Sequence, residues 1–309
     1  MASASECLNG DVRDYLKSGA GRPLTLAVET LARAVALVEP APPASDDVEA
    51  DAERLKQYSA RVDMHVQTLL LRTFYVLFCE SRGALGTAKP LSDVVLDLPP
   101  EIRSPGDGTD PVDVGMRVLM CFRRLRESGA DSLFEEMACE KAMYDVLRRD
   151  SGDARQQKVG EAWTDMLRHI ATKIDGGKRV RLAFNSLLPR DLGTIYEQMM
   201  TQRLQATPGT AAGVSLTWQI HKDSSIRLKK GAFYTNDWAV QRVVRKTLEP
   251  LVHDVTADKS PGQAIAGILS LRVLDPAAGT GHFLLGALNY LTDALQAQRQ
   301  RKEASLRWR

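Results

Sequence analysis

Apolar positions recur at helical spacing through the first two-thirds of the chain. From Pro23 to Glu39, Leu24, Ala27, Val28, Leu31, Val35 and Val38 fall on one face of a helix. The following "EPAPPASDD" ends it, because proline lacks the amide that the next turn requires. A longer helical reading runs from about Asp46 to Gly83, in one piece or two. Its second half, "MHVQTLLLRTFYVLFCESRGAL", is apolar over most of its circumference, which predicts the middle of a bundle. "SPGDGTDP" reads as a surface loop. "VDVGMRVLMCFRRLRESG" and "DSLFEEMACEKAMYDVLRRD" give two more amphipathic helices. A last one runs from about Lys158 to Ile174 and is closed by "DGGKR".

The pattern changes near Leu187. A short helix is expected around Asp191, a good N-cap residue, and a hairpin is expected between Val214–Ile220 and Ser225–Lys229. A helix from about Asp237 to Leu251 and a loop rich in Asp, Pro and Gly come next. The segment "LSLRVLDPAAGTGHFLLGALNYLTDAL" then parses as strand, glycine turn and helix, with Leu271, Val273 and Leu274 on the strand. This divides the chain into a helical domain, residues 1–186, and a second domain, residues 187–309.

Composition narrows the class without naming a function. Forty-one basic residues against 39 acidic ones give a net charge of +2, so a local basic face would be needed for nucleic acid. Cys7, Cys79, Cys121 and Cys139 are scattered and form no C-x-x-C pair, and the five histidines are dispersed. No metal ligand is assigned on that basis, and the cysteines read as small buried hydrophobes in a reduced, cytoplasmic setting. The N-terminus has no basic start followed by an apolar core, and "TLLLRTFYVLFCE" is too short and too interrupted by Arg72 to span a bilayer. A soluble protein is expected.

The glycine turn carries the candidate chemistry. Gly279 and Gly281 let the backbone bend tightly and approach a ligand. The helix starting near His282 points its first N–H groups at whatever occupies the turn. Asp275 can accept a hydrogen bond from a cationic or hydroxyl group. A Walker-type phosphate loop needs Lys and Ser or Thr after its last glycine, where this chain has His282 and Phe283. A dinucleotide fingerprint needs a third glycine where Leu284 stands. What remains suits a cofactor with an amino acid moiety and an adenosine.

"DPAAGTGHFL" resembles the S-adenosylmethionine motif of amino-type DNA methyltransferases, D-P-A-C-G-S-G-x-F-L, with Ala278 and Thr280 in place of Cys and Ser. "KKGAFYTN", residues 229–236, is similar to that family's other cofactor motif, G-x-[FY]-Y-T-P, with Asn236 in place of proline. "LLLRTFYVLFCESRG" and "RDLGTIYEQMM" look like the helical segment that precedes the catalytic domain in fused restriction–modification and phage-defence adenine methyltransferases. The resemblance implies a mainly α N-terminal domain followed by the first elements of an α/β Rossmann-like methyltransferase fold with an incomplete sheet. It implies that Asp275, Ala277, Gly279 and Gly281 line the methionine part of S-adenosylmethionine, with Phe283 packing beneath the turn. Phe233, Tyr234 and Thr235 would close over the cofactor from the other motif. Double-stranded DNA is the implied partner.

The catalytic motif of that family, [DNS]-P-P-[YFW], does not occur after the glycine turn; the nearest string is "DLPPE" at Asp97. Arg309 follows Phe283 by 26 residues (309 − 283 = 26), ending in a helix and a basic tail. The expectation is therefore a fragment or split part of an adenine-N6 methyltransferase, inactive alone and completed by downstream sequence or a second chain. The alternative is a non-catalytic DNA-binding or assembly subunit of a restriction or phage-defence complex. Its support is the basic set Arg299, Arg301, Lys302, Arg307 and Arg309, with Arg227, Lys229 and Lys230. RNA or protein substrates for the same core remain a third reading.

Overall fold

A computed structural model describes residues 23–43, 47–85, 91–93, 110–129, 133–149, 152–175, 178–200, 202–208, 216–222, 235–279 and 281–307. The chain forms two compact units, Met1–Ile226 and Arg227–Arg309. It is mainly helical. The two sheets among the described residues are antiparallel two-stranded hairpins, so the parallel sheet of a Rossmann-like fold is not among these elements.

In the first unit, α1 (Pro23–Val38), α2 (Val48–Ser81), α3 (Pro111–Glu127), α4 (Ala138–Leu147) and α5 (Ala154–Ala171) make a bundle. The apolar face of α1 is buried as its spacing predicts, with Leu24, Ala27, Val28, Leu31 and Val35 nearly inaccessible. Helix α2 is one continuous helix of 34 residues, capped where the Asp47 carboxylate accepts the Ala50 amide. Its apolar second half joins a single core with Phe122, Phe134, Trp163 and Met166. Helices α3 and α5 cross where both carry glycine: a Cβ on Gly160 would lie 2.5 Å from the Pro111 carbonyl, and one on Gly115 would lie 2.9 Å from Leu147 Cδ1.

Arg72, which interrupts the apolar run, is buried and fully engaged. It donates to Glu140 at 2.7 Å and to the Leu133 and Glu135 carbonyls at 3.0 and 2.6 Å. Glu140 also accepts from Arg126 at 2.7 Å. Burial pushes the Glu140 carboxyl up and the Arg72 guanidinium down, each against the pull of its partner. The hydrogen bonds are what make two buried charges tolerable here. Glu80, near the end of α2, accepts the Leu91 and Ser92 amides at 2.7 and 2.8 Å and ties that segment to the bundle.

Several elements differ from the sequence expectations. Helix α5 ends at Ala171, and β1 (Thr172–Asp175) pairs antiparallel with β2 (Lys178–Arg181). The β-branched Thr172 and Ile174 prefer the strand. A 3₁₀ turn (Phe184–Ser186) leads to α6 (Pro189–Met200), which begins two residues before Asp191. Asp191 caps from inside the first turn, accepting the Leu188 amide at 2.7 Å.

The strand around Val214–Ile220 exists as β4 (Leu216–Lys222), but its partner is β3 (Gln202–Pro208). The expected partner, Ser225–Lys229, lies outside the described residues. Strand β3 carries a weak apolar pattern, with Leu204 and Ala206 as the buried apolar residues among its described side chains. It is held instead by polar links to α2: Ala206 N–H donates to Ser59 Oγ at 3.0 Å, and Arg203 pairs with Asp63 at 3.0 Å. Helix α6 and the β3–β4 hairpin therefore lie in the first unit, and the contact boundary at 226 differs from the sequence boundary at 186.

The second unit contains α7 (Asp237–Thr256), α8 (Pro261–Ser270) and α9 (His282–Arg307). Residues 261–270, expected as loop leading into a strand, are helical because Pro261 stands at the first helical turn, where its missing amide costs nothing. Gln263 accepts the Ser260 amide at 3.1 Å and closes that end. Residues 271–275, expected as a central strand, have no regular secondary structure and belong to neither sheet. The basic residues from Arg299 to Arg307 continue α9 as helix rather than forming a tail. Among the described residues no helix is long and apolar enough to cross a membrane.

Candidate functional site: the glycine turn between α8 and α9

The site is positioned by a close crossing of α7 and α9. Val240, Val244 and Leu248, spaced four apart, present one face of α7 to Ala287, with Phe283, Tyr290 and Leu291 packed beside them. A Cβ on Gly286 would lie 2.9 Å from Val240 Cγ1, so glycine lets the two helices approach. This crossing brings their N-termini together. His282 Nε2, in the first turn of α9, lies 3.4 Å from Asp237 Oδ1, the first residue of α7.

The turn itself is built by Asp275 and the two glycines. Asp275 Oδ1 accepts the Ala277 amide at 3.0 Å, and Gly281 N–H donates to the Ala278 carbonyl at 2.7 Å. Gly279 and Gly281 have φ of +55° and +79°, the left-handed region that other residues adopt at a cost. A Cβ at Gly281 would meet no atom within 4 Å, and one at Gly279 only the Ala277 carbonyl at 4.0 Å. Open space therefore lies beside both glycines. The Gly281 carbonyl accepts the Leu285 amide at 2.8 Å, which starts α9. The first turn of a helix leaves amides without intrahelical acceptors, and its dipole favours a negatively charged ligand there.

Asp275 Oδ2 is the atom that most clearly asks for a ligand. It is buried and has no hydrogen-bond partner, which is costly for a carboxylate oxygen. An ammonium or hydroxyl donor would satisfy it. Four of the expected site residues thus fall in one turn, Asp275, Ala277, Gly279 and Gly281, and Phe283 follows in the first turn of α9. Phe283 is half-buried against the α7 face.

From the other motif, Thr235 is half-buried, and Asn236 caps α7, its Oδ1 accepting the Trp238 amide at 3.3 Å. Phe233 and Tyr234 lie outside the described residues, as do Arg227, Lys229 and Lys230. The Asp237–His282 contact links the ends of the two motifs, and nothing in the sequence relates those residues. Around the turn, Val273 and Leu274 are exposed, Leu274 to 87%. Trp238, Leu269, Leu284 and Leu288 are exposed as well.

Comparisons with protein families, curated proteins and solved structures return no match for this chain.

Proposed function

We propose that this chain is part of a DNA adenine-N6 methyltransferase and binds S-adenosylmethionine at the turn from Asp275 to Phe283. The observation that carries this reading is the buried, unpartnered Asp275 Oδ2 beside two left-handed glycines at a helix N-terminus. Such a turn offers an acceptor for the cofactor's amino group, room for backbone approach, and a helix N-terminus whose dipole favours its carboxylate. Asp275, Ala277, Gly279 and Gly281 would hold the methionine part, and Thr235 with Phe233 and Tyr234 would cover it. When bound, the cofactor supplies the methyl group.

The unladdered segment 271–275, with Val273 and Leu274 exposed, supports the incomplete-sheet part of the proposal. A central strand of apolar residues is stable when strands flank it on both sides. Those strands, and the aromatic motif that would hold an extruded adenine, would come from further sequence or a second chain.

Calorimetric titration of S-adenosylmethionine into the chain and its Gly279→Asp variant tests the reading. Binding that is lost in the variant, with DNA affinity unchanged, supports it. Undetectable cofactor binding together with tight DNA binding overturns it in favour of a non-catalytic DNA-binding subunit. Arg299, Arg301 and Lys302, exposed near the end of α9, are the observation that keeps this second reading in play. The chain alone is expected not to methylate mixed DNA; clear turnover would sink that part.

A further inference from the structure

A second constellation lies in the helical bundle, within the first unit. Glu39 follows the last turn of α1, His65 stands in the middle of α2, and Cys139 is the second residue of α4. One carboxylate oxygen, one ring nitrogen and the sulfur lie within 4.8 Å of one another. The residues are 26 (65 − 39) and 74 (139 − 65) positions apart, so no sequence spacing announces them. We infer that Glu39, His65 and Cys139 form a zinc-binding site that pins α1, α2 and α4 together.

The geometry is that of a ligand set before the metal enters. His65 Nδ1 lies 3.4 Å from Glu39 Oε1. Two donors each about 2.1 Å from a tetrahedral zinc are themselves about 3.4 Å apart. Neither atom makes a hydrogen bond, and both are buried. A direct Glu–His hydrogen bond would satisfy both atoms, and this contact lacks its geometry. Two orphaned polar atoms facing one thiol are costly in a protein interior unless a shared partner satisfies them.

The surroundings orient the ligands as well. Tyr58, Arg61 and His65 stand one turn apart along α2 and all address Glu39. Tyr58 donates its hydroxyl to the Glu39 carbonyl at 2.7 Å. Arg61 Nε lies 3.5 Å from Glu39 Oε2, the oxygen not aimed at His65. One oxygen is thus held by a cation while the other faces the cluster, the usual division for a ligating carboxylate. A divalent ion bound there would take the neutral imidazole of His65 as a ligand and displace the thiol proton of Cys139. Carboxylate and thiolate then balance the charge of Zn²⁺, leaving the buried site neutral. Imidazole and thiolate donors select zinc over magnesium or calcium. The fourth tetrahedral corner is left for water or another small ligand.

The test uses the full chain, stripped with chelator and titrated with Co²⁺ and then Zn²⁺. We expect one ion per chain, a thiolate-to-cobalt charge-transfer band that zinc abolishes, release of about one proton per zinc, and a higher Tm with zinc. The band is lost in Cys139→Ser and kept in Cys121→Ser. No band in the wild-type chain, or an undiminished band in Cys139→Ser, overturns the proposal. Should Cys139→Ser fail to fold, Glu39→Gln serves. It keeps the side-chain size and is expected to weaken zinc binding by roughly tenfold or more; unchanged affinity overturns the assignment.

Discussion

Asp237 Oδ1 and His282 Nε2 meet at 3.4 Å although 45 residues separate them. Each is the first residue of its helix, so the contact fastens the start of α7 to the start of α9. The glycine turn hangs from that fastening on one side and from Asp275 on the other. His282→Ala should therefore loosen the turn without unfolding the unit, whose apolar contacts lie further along both helices. Amide hydrogen exchange at Gly281 and Leu285 is expected to speed up in the variant. Unchanged rates at both positions would show that the turn stands without the contact.

Arg72 and Glu140 are both buried, at 5% and 4% side-chain exposure. Removing one partner leaves the other charge buried and alone. Arg72→Met should cost about 3–5 kcal/mol in urea unfolding. Replacing both residues by apolar ones of similar size should recover much of that loss. A loss below 1 kcal/mol for the single variant would mean that water reaches the site.

The crossing of α3 and α5 depends on Gly160 having no side chain. Alanine there gains about 1 kcal/mol of helix propensity, yet its Cβ would stand 2.5 Å from the Pro111 backbone. Backbone cannot swing aside as a side chain can, so the clash wins. Gly160→Ala should lower the Tm, and Gly160→Val should lower it further. At Gly115 the nearest atom is Leu147 Cδ1, the end of a flexible side chain, and Gly115→Ala should be milder.

Asn236 caps α7 with φ of −57°, a value that the proline ring also adopts. Asn236→Pro should thus cost no more than Asn236→Ala, each losing the side-chain cap of about 1 kcal/mol. Thermal unfolding of the two variants compares them. A markedly less stable proline variant would mean that the loop before α7 differs from the proline-bearing motif it resembles.

Burial and the charge of Glu80 push the Cys121 thiol up from 9 to about 12. The folded chain keeps its proton where the unfolded chain has released it, so stability falls as pH rises above 9. In Cys121→Ala that part of the pH dependence should be absent from urea midpoints measured between pH 8 and 10, about one unit on either side of the free thiol value. In the native protein at pH 8, roughly neutral for a free thiol, Cys121 should also resist alkylation until denaturant is added.

Much of the molecule was legible from local pattern. The apolar face of α1, the burial of the second half of α2, the helices near residues 111–127 and 154–171, and the bend at Gly279 and Gly281 all depend on neighbours within a few residues. Helical periodicity and left-handed glycines are short-range physics, and the chain carries them in plain order. Cys79 and Cys121 are buried and in no disulfide, as small hydrophobes would be.

Tertiary structure decided the rest. Leu271–Asp275 has the composition of a strand, but a strand exists only when another backbone accepts its hydrogen bonds, and among the described residues none does. Pro261–Ser270 looked like loop because proline ends helices as readily as it begins them, and only packing between α7 and α9 selects the latter. Strand β3 pairs with β4 and is tied to a distant helix through Ser59 and Asp63. Glu39, His65 and Cys139, like Asp237 and His282, come together only because helices cross. Such crossings are set by burial of whole faces, a sum over residues far apart in the chain, which no short stretch of sequence contains.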